Sequence, residues 1–466
     1  MSYSDSEVIQ YDCIIIGAGQ AGVPLAKAFS RAGKRTALIE RKHIGGTCVN
    51  EGCVPTKTMA AAAELAALAK RSNEFGVVTG YVRTDINALR QRKRDMVESF
   101  MSSLTHALSS GDNLTLMFGH AHFTGPKEVE VLAADGSIQT LTAPTIIINT
   151  GCRPLLPPIP GMDRIEPYDS TSIMEIDHIP EHLIILGGGY VGVEFGQMFR
   201  RFGSKVTMLQ SAPQLFNRED KEVAKAVAEI LREDGIRVLL GSEAIQLERG
   251  AESIRVTISS SGMEMPMEGT DVLVAIGRVP NSDGLDLDST GVAYDERGYI
   301  EVDDRLETST PGIFAVGDVK GGPAFTHIAT DDCRILRTNL LENGHACRAG
   351  RLAPYVLFTD PQLARIGMSE EEAVASGLEV KIARLEMSSV ARAVQTNRAR
   401  GFMKAIVDAQ TNLILGFACI GVNAGEIMAG VQVAMLGKLP YTVLRDAPFA
   451  HPTLSESLNS LFANID

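Results

Sequence analysis

The sequence lacks the excess of positive charge that nucleic-acid binding requires. Its 44 Lys and Arg residues are outnumbered by 57 Asp and Glu residues, giving a formal net charge of −13 at pH 7. No run of like charges is long enough to form a charged tail. Because affinity for the phosphate backbone depends on Lys and Arg, we expect no nucleic acid among the partners of this chain.

Long apolar stretches and a basic leader are also missing. Residues 1–10 carry two acidic and no basic side chains, and the first apolar run, Ile14 to Ile16, is far too short for a signal peptide or a spanning helix. Low-complexity segments are absent as well. We therefore expect a cytoplasmic protein with no membrane partner.

Cysteine is scarce, and only Cys48 and Cys53 of the seven cysteines lie close in sequence, within GGTCVNEGCVPTK. In a reducing compartment a structural disulfide is not expected, so this pair is predicted to be catalytic or metal-binding. The metal alternative needs further ligands. His43 lies upstream, and His120 and His122 are more simply alternate residues of a surface strand, so we predict no metal site.

The spacing of the two cysteines restricts their geometry. In a regular helix, residues five apart have Cα atoms about 8.6 Å apart, beyond the disulfide limit of about 7 Å. A bridge therefore needs a distorted turn. Gly52 can adopt backbone conformations that other residues avoid, and Pro55 disfavours helical geometry at Val54. Such a small ring favours a labile disulfide that opens during a reaction over a structural one.

A strand–turn–helix–strand pattern occurs twice in the chain, whose 466 residues predict two to four domains. The first copy reads YDCIII, GAGQAG, VPLAKAFSRAG and KRTALIE, and the second reads LIIL, GGGYVG, VEFGQMFRRFG and SKVTMLQ. Two such units, in the same order and with the same spacing, predict two nucleotide-binding domains.

The first glycine motif has the context of a dinucleotide site. Gly17, Gly19 and Gly22 follow a predicted strand and open a predicted helix, so pyrophosphate can approach the positive helix end. Glu40 lies 18 residues after Gly22, at the end of the next strand, where a carboxylate can accept hydrogen bonds from both ribose hydroxyls. This arrangement suits an unphosphorylated ribose, as in FAD.

The second glycine motif differs at the corresponding position. Gly187, Gly189 and Gly192 repeat the spacing, but the residue 18 positions after Gly192 is Gln210. An amide can bind a 2′-hydroxyl and does not repel a 2′-phosphate, so the motif permits NADH and does not exclude NADPH. Two dinucleotides in one chain indicate electron transfer between nicotinamide and flavin.

The remaining segments complete the predicted organisation. Residues 60–110 predict two long helices inserted after the first unit, and a strand series follows up to the Pro-rich crossing CRPLLPPIPG near residue 155. TDVLVAIGRVPN closes the second nucleotide region, and TSTPGIFAVGDV begins a return to the first. From APYVLFTDPQLARIG onward, strands and one helix, AGEIMAGVQVAMLGK, predict a final domain.

Together these motifs resemble the flavoprotein disulfide reductases, the pyridine nucleotide-disulfide oxidoreductases that include dihydrolipoamide dehydrogenase, glutathione reductase and mercuric reductase. The resemblance covers essentially the whole chain and rests on GAGQAG, GGTCVNEGCVPTK, GGGYVGVEFG, GRVPN, TSTPGIFAVGDV and HPTLSE, in that order. It implies an α/β fold with two Rossmann-like dinucleotide-binding domains plus a C-terminal α+β dimerisation domain. The expected divisions are 1–155 for FAD, completed by about 283–349, then 156–282 for NAD(P) and 350–466 for the dimer interface.

The resemblance also implies a catalytic mechanism. Hydride passes from NAD(P)H to FAD, electrons reach the disulfide through Cys53 beside the flavin, and Cys48 becomes the thiolate that exchanges with substrate. His451, oriented by Glu456, is the general acid and base, and HPTLSE enters the active site of the partner subunit of a homodimer. A protonated His451 is the expected partner that lowers the pKa of Cys48. The catalytic residues so implied are Cys48, Cys53, Lys57, Glu194, His451 and Glu456, with Lys57 near the flavin and paired with Glu194.

The same resemblance assigns the cofactor-binding residues. Tyr190 is expected to cover the nicotinamide pocket and to move aside for the cofactor, although it could instead be an ordinary tyrosine of a helix surface. The residues expected to bind FAD are Gly17, Gly19, Gly22, Glu40, Gly46, Thr47 and Asp318. Those expected to bind NAD(P)H are Gly187, Gly189, Tyr190, Gly192, Gln210 and Gly277.

The substrate is less strongly indicated. Leu25 and Ala26 replace the arginines of glutathione reductases, and the chain, whose last cysteine is Cys419, has no C-terminal cysteine pair or leading metal domain typical of mercuric reductases. We therefore favour dihydrolipoamide, a lipoyl-bearing protein or another small dithiol or disulfide. The alternative is a mercuric reductase-like enzyme that reduces Hg(II) or Cu(II), since two thiols can bind a soft ion. A flavin-bound assembly component without turnover would leave the catalytic residues unexplained.

At position 51, between the two cysteines, this sequence has a glutamate, whereas its relatives commonly have a small or apolar residue there. A carboxylate that pointed toward the sulfur atoms would raise the thiol pKa and oppose thiolate formation. We expect Glu51 to face solvent instead.

Overall fold

A computed structural model describes residues 8–109 and 111–465 of the chain. The chain divides into two compact units. The first unit contains Met1–Thr58, Arg90–Leu155 and Gly277–Arg351, and the second contains Met59–Leu89, Leu156–Ile276 and Leu352–Asp466. The finer division into three domains stays a prediction.

A five-stranded parallel sheet is the centre of the first unit. All four residues of its middle strand, Cys13–Ile16, are buried, because a parallel sheet is covered on both faces. Alternate side chains enter different cores, with Ile14 and Ile16 on one face and Cys13 and Ile15 on the other. The strands in spatial order are Ile313–Ala315, Thr145–Ile148, Cys13–Ile16, Thr36–Glu40 and Leu114–Phe118.

Smaller sheets and the helices complete the first unit. His120 and His122 lie two residues apart on a strand that alternates half-buried and buried residues, as expected. A four-stranded sheet has the order Ile9–Gln10, Ile138–Thr142, Glu128–Leu132 and His120–Gly125, and Cys152–Pro154 pairs with Arg278–Pro280. The helices are Gly22–Arg31, Gly46–Asn50 and Thr326–Leu341, with a 3-10 turn at Gly317–Lys320.

The two long helices predicted between residues 60 and 110 are confirmed, at Cys53–Lys70 and Ile86–Leu108. Each contributes residues to both units. The first of them begins at a cysteine of the GGTCVNEGCVPTK stretch, so its first turn carries residues of the expected active site. No helix within residues 8–109 and 111–465 combines the length and apolar composition needed to cross a bilayer.

The second unit repeats the parallel arrangement and adds antiparallel sheets. Its parallel strands, in spatial order, are Ile236–Leu240, Lys205–Gln210, His182–Leu186 and Asp271–Val274, with helices Tyr190–Phe202 and Lys221–Glu233. A three-stranded antiparallel sheet contains Ser242–Arg249, Ile254–Ser260 and Met263–Gly269. Both predicted strand–turn–helix–strand repeats are therefore confirmed.

The C-terminal part of the second unit is a five-stranded antiparallel sheet with helices, in agreement with the strands and the helix predicted for this segment. Its strands, in spatial order, are Tyr355–Leu357, Gln362–Gly367, Ile414–Gly421, Phe402–Asp408 and Val380–Glu386. Its helices are Glu370–Ala375, Ala391–Gln395, Ala424–Leu436, Tyr441–Asp446 and Ser457–Ala463. A core of Phe417, Phe462 and neighbouring apolar residues holds these elements together.

A buried charge network fixes the 3-10 turn that carries Asp318. The Asp332 carboxylate is fully buried; it accepts a hydrogen bond from the Gly317 N–H at 2.9 Å, and its oxygens lie 3.2 Å from Lys320 Nζ and 2.6 Å from Arg351 Nη1. Burial lowers the pKa of Lys320, against the opposing effect of Asp332. Lys320 and the Gly317 N–H therefore share one carboxylate with Arg351, which also lies 3.2 Å from Asp331 Oδ2.

Removing that carboxylate should be costly. We expect Asp332→Ala to destabilise the first unit by about 3–5 kcal/mol, because it leaves a buried cation without compensation. Urea unfolding followed by circular dichroism measures the loss, and hydrogen exchange of the Gly317 amide locates it. Glu229→Ala, which breaks a solvent-exposed pair with Lys225, is the control and should change stability by less than about 0.5 kcal/mol. Equal effects of the two variants would contradict the role of Asp332.

Candidate active site

The two cysteines meet because the helix between them is interrupted. Cys48 lies in the short helix Gly46–Asn50, and Cys53 begins the long helix Cys53–Lys70. At the break, a Cβ on Gly52 would lie 2.8 Å from the carbonyl oxygen of Thr47, so only glycine fits without displacing the backbone. The distorted turn predicted at Gly52 is confirmed.

The expectation for Pro55 was wrong in one respect. Val54, which precedes the proline, is helical, and Pro55 lies in the first turn of the helix Cys53–Lys70. Backbone N–H groups of a first helical turn have no partner within the helix, so proline loses nothing there. The break is therefore produced by the Glu51–Gly52 step and not by the proline.

The two sulfur atoms have opposite electrostatic environments. A hydrogen bond from Cys48, together with the Thr326 hydroxyl and the charge of Lys57, lowers the pKa of the Cys53 thiol to about 6 against the opposing effect of burial. The same hydrogen bond and partial burial raise the pKa of Cys48. These effects favour the thiolate form at Cys53 over Cys48.

Thr326 is a site residue that the sequence analysis missed. It is the first residue of the helix Thr326–Leu341, and its Oγ1 lies 3.4 Å from Cys53 Sγ. Its sequence separation from the cysteine is 273 residues, so spacing alone offers no link. The only signal is its place after TSTPGIFAVGDV, where the chain returns to the first unit.

Glu51 does not point toward the sulfur atoms. Its carboxylate lies 2.6 Å from Lys42 Nζ, in a partly exposed ion pair. The groups that shift the pKa of the two cysteines do not include Glu51. The carboxylate is thus compensated at the surface, in keeping with the expectation that it turns outward.

The first glycine motif forms a tight cradle at the end of a strand. Gly17 has φ +107°, and a Cβ there would lie 2.3 Å from the Asn149 carbonyl oxygen; a Cβ on Gly22 would lie 2.0 Å from the Gly17 carbonyl oxygen. Asn149, which the sequence analysis did not single out, donates to the same Gly17 carbonyl. Glu40 accepts the Ala18 N–H at 2.9 Å. The motif is therefore shaped as predicted.

The cradle and the cysteine stretch are in direct contact. A Cβ on Gly46, which has φ +60°, would lie 2.9 Å from Gly19 Cα, and the Gly45 N–H donates to the Ala18 carbonyl at 2.8 Å. Thr47 follows Gly46 in the same short helix. A dinucleotide held by the glycine turn therefore adjoins the helix that carries Cys48.

Polar groups without protein partners mark where such a ligand fits. No described residue donates a hydrogen bond to the Asp318 carboxylate, whose pKa is raised by burial although Arg278 and Lys320 oppose the shift. Thr150 Oγ1 and Arg278 Nε are buried and lack hydrogen-bond partners within the described residues. Hydroxyl and phosphate groups of a dinucleotide are the chemistry that these atoms require, so the residues present fit FAD.

The second glycine motif copies the geometry of the first. Gly187 has φ +107°, and a Cβ on Gly192 would lie 2.1 Å from the Gly187 carbonyl oxygen. Gln210 Oε1 accepts the Gly188 N–H at 2.9 Å, the contact that Glu40 makes in the first copy. Gly189 precedes the helix Tyr190–Phe202 as its N-cap. An amide thus replaces a carboxylate without changing the backbone arrangement.

Tyr190 is not an ordinary tyrosine of a helix surface. Its ring lies 5.1 Å from that of Phe216 and 5.2 Å from that of Tyr355, measured between centroids. Burial raises the pKa of its hydroxyl. The ring is therefore packed between two aromatic side chains of the same unit, as a residue that covers a pocket would be. Whether it moves aside stays a prediction.

Two further expected residues have identified contacts. Glu194 is buried, and its Oε1 accepts the Phe358 N–H at 2.8 Å. The predicted ion pair between Glu194 and Lys57 joins residues of different units and stays a prediction. Gly277 accepts the Leu155 N–H through its carbonyl at 3.0 Å, and its role toward NAD(P)H likewise stays a prediction.

The predicted histidine–glutamate pair is formed. His451 Nδ1 lies 3.0 Å from Glu456 Oε2 and 3.1 Å from Glu456 Oε1. The histidine is largely exposed while the glutamate is mostly buried, so the carboxylate orients the ring and leaves Nε2 toward solvent. This arrangement suits a general acid and base.

Comparison with known proteins gives two family matches. Residues 11–332 match the family described as "Pyridine nucleotide-disulphide oxidoreductase". Residues 353–462 match "Pyridine nucleotide-disulphide oxidoreductase, dimerisation domain". Together they cover both units of the chain.

Three curated relatives have similar levels of identity. The "Probable pyridine nucleotide-disulfide oxidoreductase RclA" of Escherichia coli is 38% identical over 97% of this chain and 99% of its own. A mercuric reductase of Staphylococcus aureus is 34% identical over 96% and 81%, and a dihydrolipoyl dehydrogenase of Thermus scotoductus is 34% identical over 96% of both. A solved Cu(II) complex of the HOCl-induced flavoprotein disulfide reductase RclA superposes with TM-score 0.90 at 37% identity, covering 98% and 100%.

The low pKa of Cys53 can be measured directly. In reduced protein carrying Cys347→Ser, which removes another exposed cysteine, we expect iodoacetamide to alkylate Cys53 with an inflection near pH 6, the value to which its pKa is lowered. Lys57→Gln should raise the inflection, because the nearby positive charge is lost, and Cys53→Ser should abolish this phase. Mass spectrometry of the cysteine peptide gives the rates. An inflection near the ordinary thiol value of about 8.5 would contradict the assignment.

Proposed function

The chain belongs to the pyridine nucleotide-disulphide oxidoreductase family, and on that premise we propose that it transfers electrons between NAD(P)H and a small dithiol or disulfide, with dihydrolipoamide as the leading substrate. The chain is an oxidoreductase that acts on sulfur groups, and its family uses FAD and NAD(P)H. The observation that carries the proposal is the His451–Glu456 hydrogen bond, since thiol exchange needs an acid and base that reduction of a metal ion does not.

The chain's own residues define where the cofactors are held. Bound FAD supplies a two-electron relay between the nicotinamide and the cysteine pair. Glu40 and Asp318 present carboxylates for its ribose and ribitol hydroxyls, and the Gly17–Gly22 turn admits its pyrophosphate. Around Gln210, residues 206–216 contain no Lys or Arg, so nothing in this segment attracts a 2′-phosphate. We infer a preference for NADH.

The exchange step follows from the two thiols. Cys48, deprotonated by His451, attacks one sulfur atom of the substrate disulfide and forms a mixed disulfide, while the released thiolate takes the proton from His451. The Cys53 thiolate then attacks Cys48, forms the Cys48–Cys53 disulfide and releases the second thiolate. Two electrons pass from the cysteine pair to the substrate, and the reverse sequence oxidises a dithiol.

His451 is proposed to act across the dimer. The dimerisation domain matched by residues 353–462 supports a homodimer. The hydrogen bond to Cys53 and partial burial raise the pKa of Cys48, so its ionisation calls for a base. A base contributed by His451 of the partner subunit would meet that need, and the exposure of the His451 ring leaves it available.

Reduction of a soft metal ion is the second candidate function. The observation that favours it is the exposed Cys53 thiolate next to Cys48, because thiolates bind soft ions. Relatives named mercuric reductase, and the Cu(II) complex of RclA, agree with such chemistry. Among residues 8–109 and 111–465, no group of three or more His, Cys, Asp or Glu side chains could hold a metal ion, so the ligands proposed from this chain are the two sulfur atoms.

A substrate panel separates the two candidates. We expect turnover of NADH with lipoamide, and of NAD⁺ with dihydrolipoamide, to exceed turnover with oxidised glutathione, Hg(II) or Cu(II), and NADPH to be the poorer donor. Cys48→Ser is the matched control and should abolish disulfide turnover while FAD stays bound. Efficient Hg(II) or Cu(II) turnover without activity on thiol substrates would establish the second candidate instead.

Mixed dimers test the shared site. We expect His451→Ala to lower disulfide turnover by about 100-fold or more, because it removes the acid and base, and Cys48→Ser to be inactive. A heterodimer of these two variants, isolated with two affinity tags, pairs an intact cysteine site with an intact His451 from the other subunit. It should regain about half of the wild-type activity. An inactive heterodimer would place His451 in the same subunit as the cysteines it serves, or outside the reaction.

A further inference from the structure

The Tyr190 ring lies between two other aromatic rings of the second unit. Its centroid is 5.1 Å from that of Phe216, with the ring planes 30° apart, and 5.2 Å from that of Tyr355, with the planes 40° apart. Aromatic pairs at such distances contribute free energy beyond the burial of their area. Phe216 and Tyr355 therefore form an aromatic clamp, which the Tyr190 ring must leave in order to move aside.

Phe216 is held in a backbone conformation that bulky residues avoid. Its φ is +51°, in the left-handed region, and the residue is buried. Its carbonyl accepts the Glu219 N–H at 2.8 Å and Gln214 Nε2 at 3.4 Å. Such a conformation persists only where the surrounding structure maintains it, so these hydrogen bonds fix the position of the Phe216 ring.

The loop that carries Phe216 is also attached to the second glycine motif. Gln210, which accepts the Gly188 N–H, donates from Nε2 to the Gln214 carbonyl at 3.3 Å. Leu215 packs beside Gly188, where a Cβ would lie 2.5 Å from Leu215 Cδ2. The Phe216 ring therefore has a fixed position relative to the turn that is proposed to receive NAD(P)H.

Tyr355 is fixed by a sheet and by the helix that carries Tyr190. It begins a strand that pairs with the next strand along the chain. Immediately after that first strand, the Phe358 N–H donates to Glu194 Oε1 at 2.8 Å. Glu194 lies one turn after Tyr190 in the same helix, so this bond holds the start of the helix against the segment that contains Tyr355.

Tyr190 is the ring of the three that is free to turn outward. It is the first residue of its helix, directly after the N-cap Gly189, so no preceding helical turn blocks rotation of its side chain. Tyr190 is half-buried, whereas Gly189 before it and Val191 after it are exposed. Because Gly189 belongs to the glycine motif, a dinucleotide held by that motif lies beside the ring.

We propose that Phe216 and Tyr355 are positioning residues that hold Tyr190 over the nicotinamide site and thereby set how tightly the chain binds NAD(P)H. The nucleotide binds only to molecules in which the ring has left the clamp, so the apparent dissociation constant rises as the fraction of such molecules falls. Leaving the clamp breaks both ring contacts, which keeps this fraction small. The part of Tyr190 as a cover rests on the proposed function.

Binding of NAD⁺ to the full-length FAD-bound protein tests the clamp without turnover. Isothermal titration calorimetry gives the dissociation constant of NAD⁺. Anaerobic mixing with NADH, followed by flavin absorbance, gives the half-saturating NADH concentration and the limiting rate of flavin reduction. Phe216→Leu and Tyr355→Leu each remove one ring of the clamp, whereas Phe216→Tyr and Tyr355→Phe keep an aromatic ring. Phe202→Leu is the matched control, because Phe202 ends the same helix and contacts Phe199 with ring centroids 5.8 Å apart.

We expect Phe216→Leu and Tyr355→Leu each to lower the NAD⁺ dissociation constant and the half-saturating NADH concentration by about threefold to tenfold, the range of one aromatic contact. The limiting rate of flavin reduction should stay within about twofold of wild type, because the clamp acts on binding and not on hydride transfer. Phe216→Tyr, Tyr355→Phe and Phe202→Leu should leave the dissociation constant within about twofold of wild type, since none of them removes an aromatic ring from the clamp.

Tyr190→Ala separates the clamp from a direct contact with the nucleotide. In that background, Phe216→Leu and Tyr355→Leu should no longer change the dissociation constant, because the ring that they hold is absent. Unchanged or weaker NAD⁺ binding in the single Leu variants, or an equal effect in the Tyr190→Ala background, would overturn the clamp. These measurements use no disulfide, dithiol or metal-ion substrate, so the outcome of the substrate panel leaves them unaffected.

Discussion

Helix interruption at Gly52 brings Cys48 and Cys53 into contact, and the rest of the site depends on it. A continuous helix would hold residues five apart beyond bonding distance. Because the backbone turns sharply there, a side chain on Gly52 would collide with the Thr47 carbonyl. The same turn starts a new helix at Cys53, so Lys57 falls one turn later, within electrostatic reach of the sulfur atom.

The two thiols differ in pKa because their surroundings differ, since both belong to cysteine side chains. Cys53 receives hydrogen bonds and faces a positive charge, whereas Cys48 donates and is partly desolvated. This asymmetry favours the thiolate at Cys53 over Cys48, and the exchange role of Cys48 stays a prediction of the family resemblance. It also means that Cys48 needs an external base, which is the part proposed for His451 of the partner subunit.

The two glycine motifs share one backbone arrangement, which we propose serves two different cofactors. Glu40 and Gln210 stand at the ends of equivalent strands, and each accepts an N–H of its own glycine turn at 2.9 Å. The backbone contact is the same while the charge differs. In the first unit, the buried Asp332 anchors the turn that presents Asp318, the carboxylate proposed to bind FAD.

The sequence alone determined those features that depend on residues close together along the chain. Strand composition, glycine spacing and helix patterning located both dinucleotide motifs, and the ordered motifs identified the cysteine pair and the His451–Glu456 pair. Tertiary structure decided what depends on residues distant in the chain, as with Thr326 against Cys53, Asn149 against Gly17 and Tyr190 between Phe216 and Tyr355. It also corrected the prediction for Pro55. A proline breaks a helix only where the backbone N–H is needed for a hydrogen bond, and Pro55 lies in the first turn of its helix, where that N–H has no partner. The physical reason is that hydrogen bonds and charges act over a few ångströms of space, whereas sequence patterns report only the neighbours along the chain.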